Sequence, residues 1–181
     1  LRIDYALLSR YSIQSTSDQE DYRNYATIAA NASAGVTPEQ AAIWSYPMRQ
    51  GDREEVIYNM INSMLVRIHQ SGHLAELPSE RLALVKEGIA CYKTIRQDIR
   101  RAVPFWPLDI ADNEDMWVCG GLQLEKKAYL AVWKRQMEGK NTERYAKSGI
   151  ACTDITLSIP LGSLPFAKDG IQVSCIYPQQ E

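Results

Sequence analysis

The chain has few of the residues that most metal and redox sites need. Its 181 residues include only four cysteines and two histidines. The cysteines are far apart and form no C-x-x-C pair, so we expect buried free thiols rather than a zinc or dithiol redox site. They are Cys91, Cys119, Cys152 and Cys175.

The two histidines do not complete a zinc motif either. His69 and His73 have the i, i+4 spacing of a helical zinc site, but Gln70 stands where H-E-x-x-H has its glutamate. Gly72 also opposes a regular helix. We therefore predict no metal ligands and no cofactor.

Long apolar runs and an excess of one charge are also missing. No run approaches the roughly 20 apolar residues that a bilayer span requires, so we expect no membrane-spanning segment. The net charge is −2, which gives no electrostatic attraction for nucleic acid or an anionic membrane. At 45% hydrophobic and 23% charged residues, the composition is that of one globular domain or two small ones.

The first hundred residues alternate two hydrophobic periods. Short β-permissive segments near 11–16, 40–45 and 66–70 precede helical patterns near 18–31, 52–65 and 79–102. Strands that alternate with long helices predict βα units and a parallel sheet.

After Pro104 the pattern becomes β-rich. Short apolar or alternating runs at 117–119, 128–133, 155–161 and 171–175 predict an antiparallel sheet. The polar residues 136–150 between them predict an exposed loop.

The stretch Ser17-Asp18-Gln19-Glu20 has two interpretations. It fits the S-x-x-E capping box, in which the Ser and Glu side chains bind free N–H groups at a helix start. It also lies where a strand meets a helix, and in βα barrels the strand ends carry the catalytic groups. The local pattern favours the cap.

Five segments resemble the α-galactosidases of glycoside hydrolase family 36. They occur in the same order as in that family, and the likeness is most specific over residues 1–107. The segments are LRIDY (1–5), STSD (15–18), PEQAAIWSYP (38–47), RIHQSGHL (67–74) and PFWP (104–107).

The resemblance implies a fold and its division. The expected class is α/β, with the last βα units of a (β/α)8 TIM barrel followed by a small, incomplete antiparallel β-sandwich. Residues 1–103 would form the C-terminal part of the catalytic barrel, and residues 104–181 part of the C-terminal sandwich domain.

The resemblance also implies the roles of three residues. Asp18 matches the aspartate of the family's T-S-D motif and would be the general acid/base, while Arg2 and Ser17 would bind substrate. Many members carry Trp two residues before the motif's Ser, where this chain has Ser15. The sugar contact usually made there is therefore not expected.

The second catalytic carboxylate would come from outside the chain. In the family the nucleophile follows the fourth barrel strand, upstream of any segment present. We therefore expect the chain alone to be inactive, with the N-terminal part of the enzyme and an α-galactoside oligosaccharide as partners. Homo-oligomerisation and a cytoplasmic or secreted location stay open.

Three alternatives remain beside a hydrolase that releases terminal α-galactosyl residues. The chain could be an inactive truncated product that serves as an interaction or sugar-binding module. Within the same family, α-N-acetylgalactosaminidase activity or galactosyl transfer is also compatible with these motifs.

Overall fold

A computed structural model describes residues 4–135 and 156–179, which form a mixed α/β fold with two three-stranded sheets. The parallel sheet has the order β1-β2-β3, and the antiparallel sheet has the order β4-β5-β6. The helices are α1 (Tyr5–Leu8), α2 (Tyr22–Asn31), α3 (Arg53–Met64) and α4 (Ser79–Ile99). The strands are β1 (Gln14–Ser15), β2 (Ala41–Ser45), β3 (Arg67–Gln70), β4 (Val103–Phe105), β5 (Trp117–Gln123) and β6 (Ala128–Lys134).

Helices α3 and α4 pack through the apolar rows that their sequences predict. Asp52 caps α3 by accepting a hydrogen bond from the Glu55 N–H at 2.8 Å. Val56 and Met60 of α3 are fully buried in one cluster with Val85 of α4. Burial of such side chains supplies about 1.5–3 kcal/mol each, which fixes the two helices against each other.

Helices α2 and α3 lie between the two sheets. Tyr25 of α2 and Ile43 of β2 are fully buried in the same cluster as Trp133 of β6. The backbones of α2 and β5 lie close together at Gly120, where an added Cβ would be only 3.3 Å from the carbonyl oxygen of Ala30. One hydrophobic core therefore contacts both sheets.

The predicted βα elements are confirmed, with one error at the start of α2. The three strands and three long helices lie within a few residues of their predicted positions, although β1 is only two residues long. Helix α2 begins at Tyr22, not at Asp18. The closed barrel and the sandwich stay predictions.

The antiparallel half matches its prediction only in part. Strands β5 and β6 are confirmed, while β4 occupies a segment for which the sequence predicts no strand. The predicted strand at 171–175 is wrong, because Ile171 and Val173 are exposed and their alternation faces no core. The described part of the strand predicted at 155–161 has only an isolated bridge at Leu157. The loop predicted at 136–150 lies outside the described residues.

The sequence also predicts buried free cysteines and no membrane-spanning segment. Cys119 is a buried free thiol as expected, whereas Cys91 is half-buried and Cys175 is exposed. Cys152 lies outside the described residues. In the described part of the chain, no helix is both long enough and apolar enough to cross a membrane.

Asp98, near the end of α4, joins that helix to the β5–β6 hairpin. Its carboxylate accepts a hydrogen bond from the Tyr129 hydroxyl at 2.6 Å and pairs with Lys127 Nζ at 2.6 Å. Hydrogen bonds from Lys127 and Tyr129 lower the pKa of Asp98. The charged form of Asp98 therefore stabilises the contact between the two halves of the chain.

We expect Asp98→Asn to lower the thermal stability of the chain at neutral pH. A loss of about 1 kcal/mol lowers Tm by about 2–4 °C in a chain of this size. Because the folded pKa is depressed, the stabilisation is complete above the unfolded value of about 3.9 and disappears as pH falls through the folded pKa. Thermal unfolding by circular dichroism from pH 7 to pH 3 measures this, with the exposed Glu125→Gln as the control. A Tm difference that is unchanged at pH 3 would contradict the ionic origin of the effect.

Candidate functional site

Asp18 lies in the loop that follows β1, at the carboxyl end of the parallel sheet. Its side chain is exposed and belongs to no helix. The capping-box interpretation of Ser17 and Glu20 is wrong, because Asp21 caps α2 by accepting hydrogen bonds from the N–H groups of Arg23 and Asn24, both at 2.9 Å. The Asp18 carboxylate is therefore not used to start the helix.

The buried hydroxyl of Tyr25 holds the loop that carries Asp18. Thr16 still pairs with β2 through its N–H, which donates to the carbonyl of Ala42 at 3.2 Å. One step further along, the Trp44 N–H donates to Tyr25 Oη at 3.1 Å, and that hydroxyl donates to the carbonyl of Ser17 at 3.0 Å. Beyond the end of β1, the Tyr25 hydroxyl thus bonds the Trp44 N–H in place of a strand partner. It also fixes the position of Ser17, where the chain leaves the sheet.

Three aromatic side chains at the carboxyl end of the parallel sheet contact one another in a row. Trp44 stacks on Tyr46 with ring centroids 5.7 Å apart and an interplanar angle of 13°. His69, the neighbour of Trp44 on β3, contacts the Trp44 ring edge-on at 4.8 Å. Burial raises the pKa of Tyr46, with smaller effects in the same direction from Tyr25, Asp18 and Glu20.

The segment after β2 is held by side chains from α3 and α4. The Tyr46 N–H donates to Asn59 Oδ1 at 3.1 Å, and the Met48 N–H donates to Glu55 Oε1 at 3.0 Å. The buried Arg81 of α4 donates to the carbonyl of Met48 at 2.9 Å. These bonds fix the path of the segment that carries Tyr46.

Glu55 is a buried acid in this arrangement. It is only 5% exposed, and within the described residues its Oε2 has no hydrogen-bond partner. Burial raises the pKa of Glu55, against the opposing effects of the Met48 N–H and the Arg81 charge. A carboxyl group in such surroundings favours its neutral form.

A cleft of about 320 Å³ lies beside β1 and α2. Gln14, Thr16, Thr27 and Asn31 line it, with Asn113 at one side. Asp18 is not among its lining residues, so the carboxylate lies outside this cleft. The cleft does not enclose a substrate around Asp18.

The other predicted site residues are placed as follows. Ser17 is half-buried beside Asp18, and its Oγ accepts a hydrogen bond from the Gln19 N–H at 3.2 Å. Arg2 lies outside the described residues. His73 Nδ1 accepts from the Arg49 N–H at 3.3 Å. Across residues 4–135 and 156–179, no group of three His, Cys, Asp or Glu side chains could hold a metal ion.

Sequence reasoning missed the aromatic row and the bridging hydroxyl. Trp44 is the one half-exposed residue of β2, whose other four residues are buried. Four of the five residues of β2 are buried, so its sequence shows no alternation of apolar and polar residues. The sequence therefore did not indicate which side chain of the strand would be accessible. The usable signal was the pair Trp44 and Tyr46, two positions apart and therefore on one face of a strand.

No protein family, curated protein or solved structure matches this chain. The resemblance to the α-galactosidases therefore stays a prediction.

We expect Tyr25→Phe to destabilise the chain more than Tyr22→Phe does. The first variant leaves the Trp44 N–H and the Ser17 carbonyl without the hydroxyl, and a buried group left unpaired costs about 1–3 kcal/mol. Tyr22 packs edge-on against Tyr58 at 5.1 Å and no described residue bonds its hydroxyl, so it serves as the matched control. Urea unfolding measures both free energies. Equal losses would contradict the bridging role of Tyr25.

We expect Glu55→Gln to be more stable than the parent chain at neutral pH. Because the folded pKa of Glu55 is raised, the acid stabilises the fold below its unfolded pKa, and that stabilisation is lost as pH rises through the folded pKa. The amide of the variant has no charge to bury and keeps an acceptor for the Met48 N–H. Tm measured from pH 4 to pH 8 should diverge in favour of the variant, while the Tm curve of the exposed turn variant Glu125→Gln should stay parallel to that of the parent. Parallel curves for parent and Glu55→Gln would contradict the buried-acid assignment.

Proposed function

We propose that this chain supplies the general acid/base, Asp18, of a retaining α-galactosidase. The observation that supports it best is the position of Asp18, an exposed carboxylate directly after a parallel strand at the carboxyl end of the sheet. Catalytic groups of βα barrels come from such strand ends. In this proposal the parallel sheet and its helices are the last βα units of a (β/α)8 barrel, and the antiparallel strands belong to a β-sandwich.

The proposed chemistry has two steps. Asp18 first donates its proton to the glycosidic oxygen while a nucleophilic carboxylate attacks the anomeric carbon and the leaving alcohol departs. Water then attacks the covalent galactosyl-enzyme, and the Asp18 carboxylate takes the proton from that water. Ser17 and Arg2 bind the galactosyl group, and the reaction needs no cofactor.

The nucleophile lies outside this chain in the proposal. A retaining enzyme needs its two carboxyl groups about 5–5.5 Å apart. The partner is therefore the N-terminal part of the same enzyme, which brings its own carboxylate to Asp18. The substrates are oligosaccharides with terminal α-galactosyl residues.

A non-catalytic module is the second candidate. It is favoured by the parallel sheet, which has three strands among the described residues, where a closed barrel has eight. Such a chain could bind sugars or another protein without turnover. A start codon near Leu1 would favour this candidate, whereas a continuous upstream frame with a second catalytic aspartate would favour the enzyme.

Two assays test the acid/base role. Alone, the chain should not hydrolyse an aryl α-galactoside above the buffer rate, because it holds no nucleophile. In the polypeptide extended by the upstream frame, Asp18→Asn should slow galactosides with poor leaving groups by about 10²–10⁴-fold. Activated aryl galactosides need little protonation and should be slowed much less. Azide should restore turnover by attacking the galactosyl-enzyme without a general base.

Asp21→Asn is the matched control, because Asn caps a helix about as well as Asp and the residue lies close to Asp18 in the chain. It should leave both substrate classes unchanged. The acid/base role would be wrong if Asp18→Asn slows both classes equally and azide restores nothing. Hydrolysis by the isolated chain would contradict the external nucleophile.

A further inference from the structure

We infer that the Trp44 ring, with Tyr46 and His69 beside it, is a binding surface for the apolar face of a pyranose ring. This inference rests on the proposed function for the identity of the sugar. We call the three side chains the aromatic row.

The aromatic row lies on the sheet face that the helices do not cover. Ile43 is fully buried in the core with α2 residues, and the Ser45 hydroxyl contacts Met60 Sδ of α3 at 3.5 Å. Because side chains alternate across a strand, Trp44 between them belongs to the opposite face. Trp44 is half-exposed there, although it is the largest side chain of β2.

The Trp44 ring is held before any ligand arrives. Its Nε1–H donates to Ser15 Oγ at 3.1 Å, its backbone N–H donates to Tyr25 Oη, and both Tyr46 and His69 contact the ring. A ring fixed in this way loses little conformational freedom on binding, which favours affinity.

Two members of the aromatic row, and Asp18, carry polar groups that no described residue bonds. In the described part of the chain, no hydrogen bond satisfies the Asp18 carboxylate, the Tyr46 hydroxyl or the His69 ring nitrogens. Burial, with a smaller effect of the Arg67 charge, lowers the pKa of His69, so its imidazole is neutral at pH 7 and offers one donor and one acceptor.

This combination fits a sugar better than a peptide segment. A pyranose has an apolar C–H face, which suits an aromatic ring, and a rim of hydroxyl groups that both donate and accept hydrogen bonds. Sites for small ligands are likewise built from apolar and aromatic surface with a few placed polar groups. Asp18 follows Ser15, which accepts the hydrogen bond from the Trp44 ring, and Ser17, whose carbonyl bonds to Tyr25, so the proposed acid is on the segment next to the aromatic row.

The test is a titration of the full chain with methyl α-D-galactopyranoside, followed by the tryptophan Nε1–H signals in a ¹H–¹⁵N correlation spectrum. We expect the Trp44 signal to shift while those of Trp106 and Trp133 stay in place, since Trp106 Nε1 is bonded to the Ala30 carbonyl and Trp133 is buried. Trp44→Phe assigns the signal by its loss and keeps an aromatic ring in the sheet.

Affinity is then compared among variants by following backbone signals of the 15–18 and 44–46 segments. Trp44→Phe should weaken binding by about two- to tenfold, as expected for loss of part of an aromatic contact. Trp117→Phe, which changes a half-buried tryptophan of the other sheet, should leave binding unchanged. A Trp44 signal that does not move up to the highest sugar concentration would overturn the inference and favour coverage of this face by protein. Equal affinity of Trp44→Phe and the parent would also overturn it.

The two proposals fail separately. A Trp44 shift without azide rescue of Asp18→Asn would mean that the aromatic row binds sugar while the acid/base role is wrong. Azide rescue without a Trp44 shift would leave the acid/base role intact and refute the aromatic row.

Discussion

The arrangement of the site depends on one buried hydroxyl group. Tyr25 Oη accepts from the Trp44 N–H and donates to the Ser17 carbonyl, so a single side chain of α2 fixes both the end of β1 and the neighbouring part of β2. Tyr25 is fully buried, so its hydroxyl is held in place by the core around it. The same hydroxyl therefore fixes the backbone at Ser17, directly before Asp18, and the backbone at Trp44, which carries the ring.

The core explains why α2 is held firmly enough to place that hydroxyl. One face of the helix packs on β2 through Tyr25, and its end meets β5 where Gly120 lets the backbone approach Ala30. The Trp106 Nε1–H donates to the carbonyl of Ala30 at 2.7 Å, which fixes that end of the helix further. The antiparallel sheet thus contributes to the site without lining it.

The sequence predicted the βα elements because their hydrophobic periods are strong, as in the row of Val56 and Met60. It misplaced the start of α2 because Ser17 and Asp21 are both cap-forming residues ahead of the same helical pattern. The choice between them is made by a tertiary contact, since the Ser17 carbonyl bonds to the Tyr25 hydroxyl. At 171–175 apolar and polar residues do alternate in the sequence. Ile171 and Val173 are nevertheless exposed, so these apolar side chains do not pack on the core as those of a half-buried strand would.

The error at the start of α2 bears directly on function. Had Ser17 and Glu20 capped the helix, Asp18 would have been part of its first turn, where the helix dipole stabilises a charged carboxylate. With Asp21 as the cap, Asp18 lies in a separate loop before the helix, and its carboxylate makes no structural bond in the described part of the chain. An exposed carboxylate at a strand end, which no described residue bonds, is what the proposed acid/base role requires of Asp18.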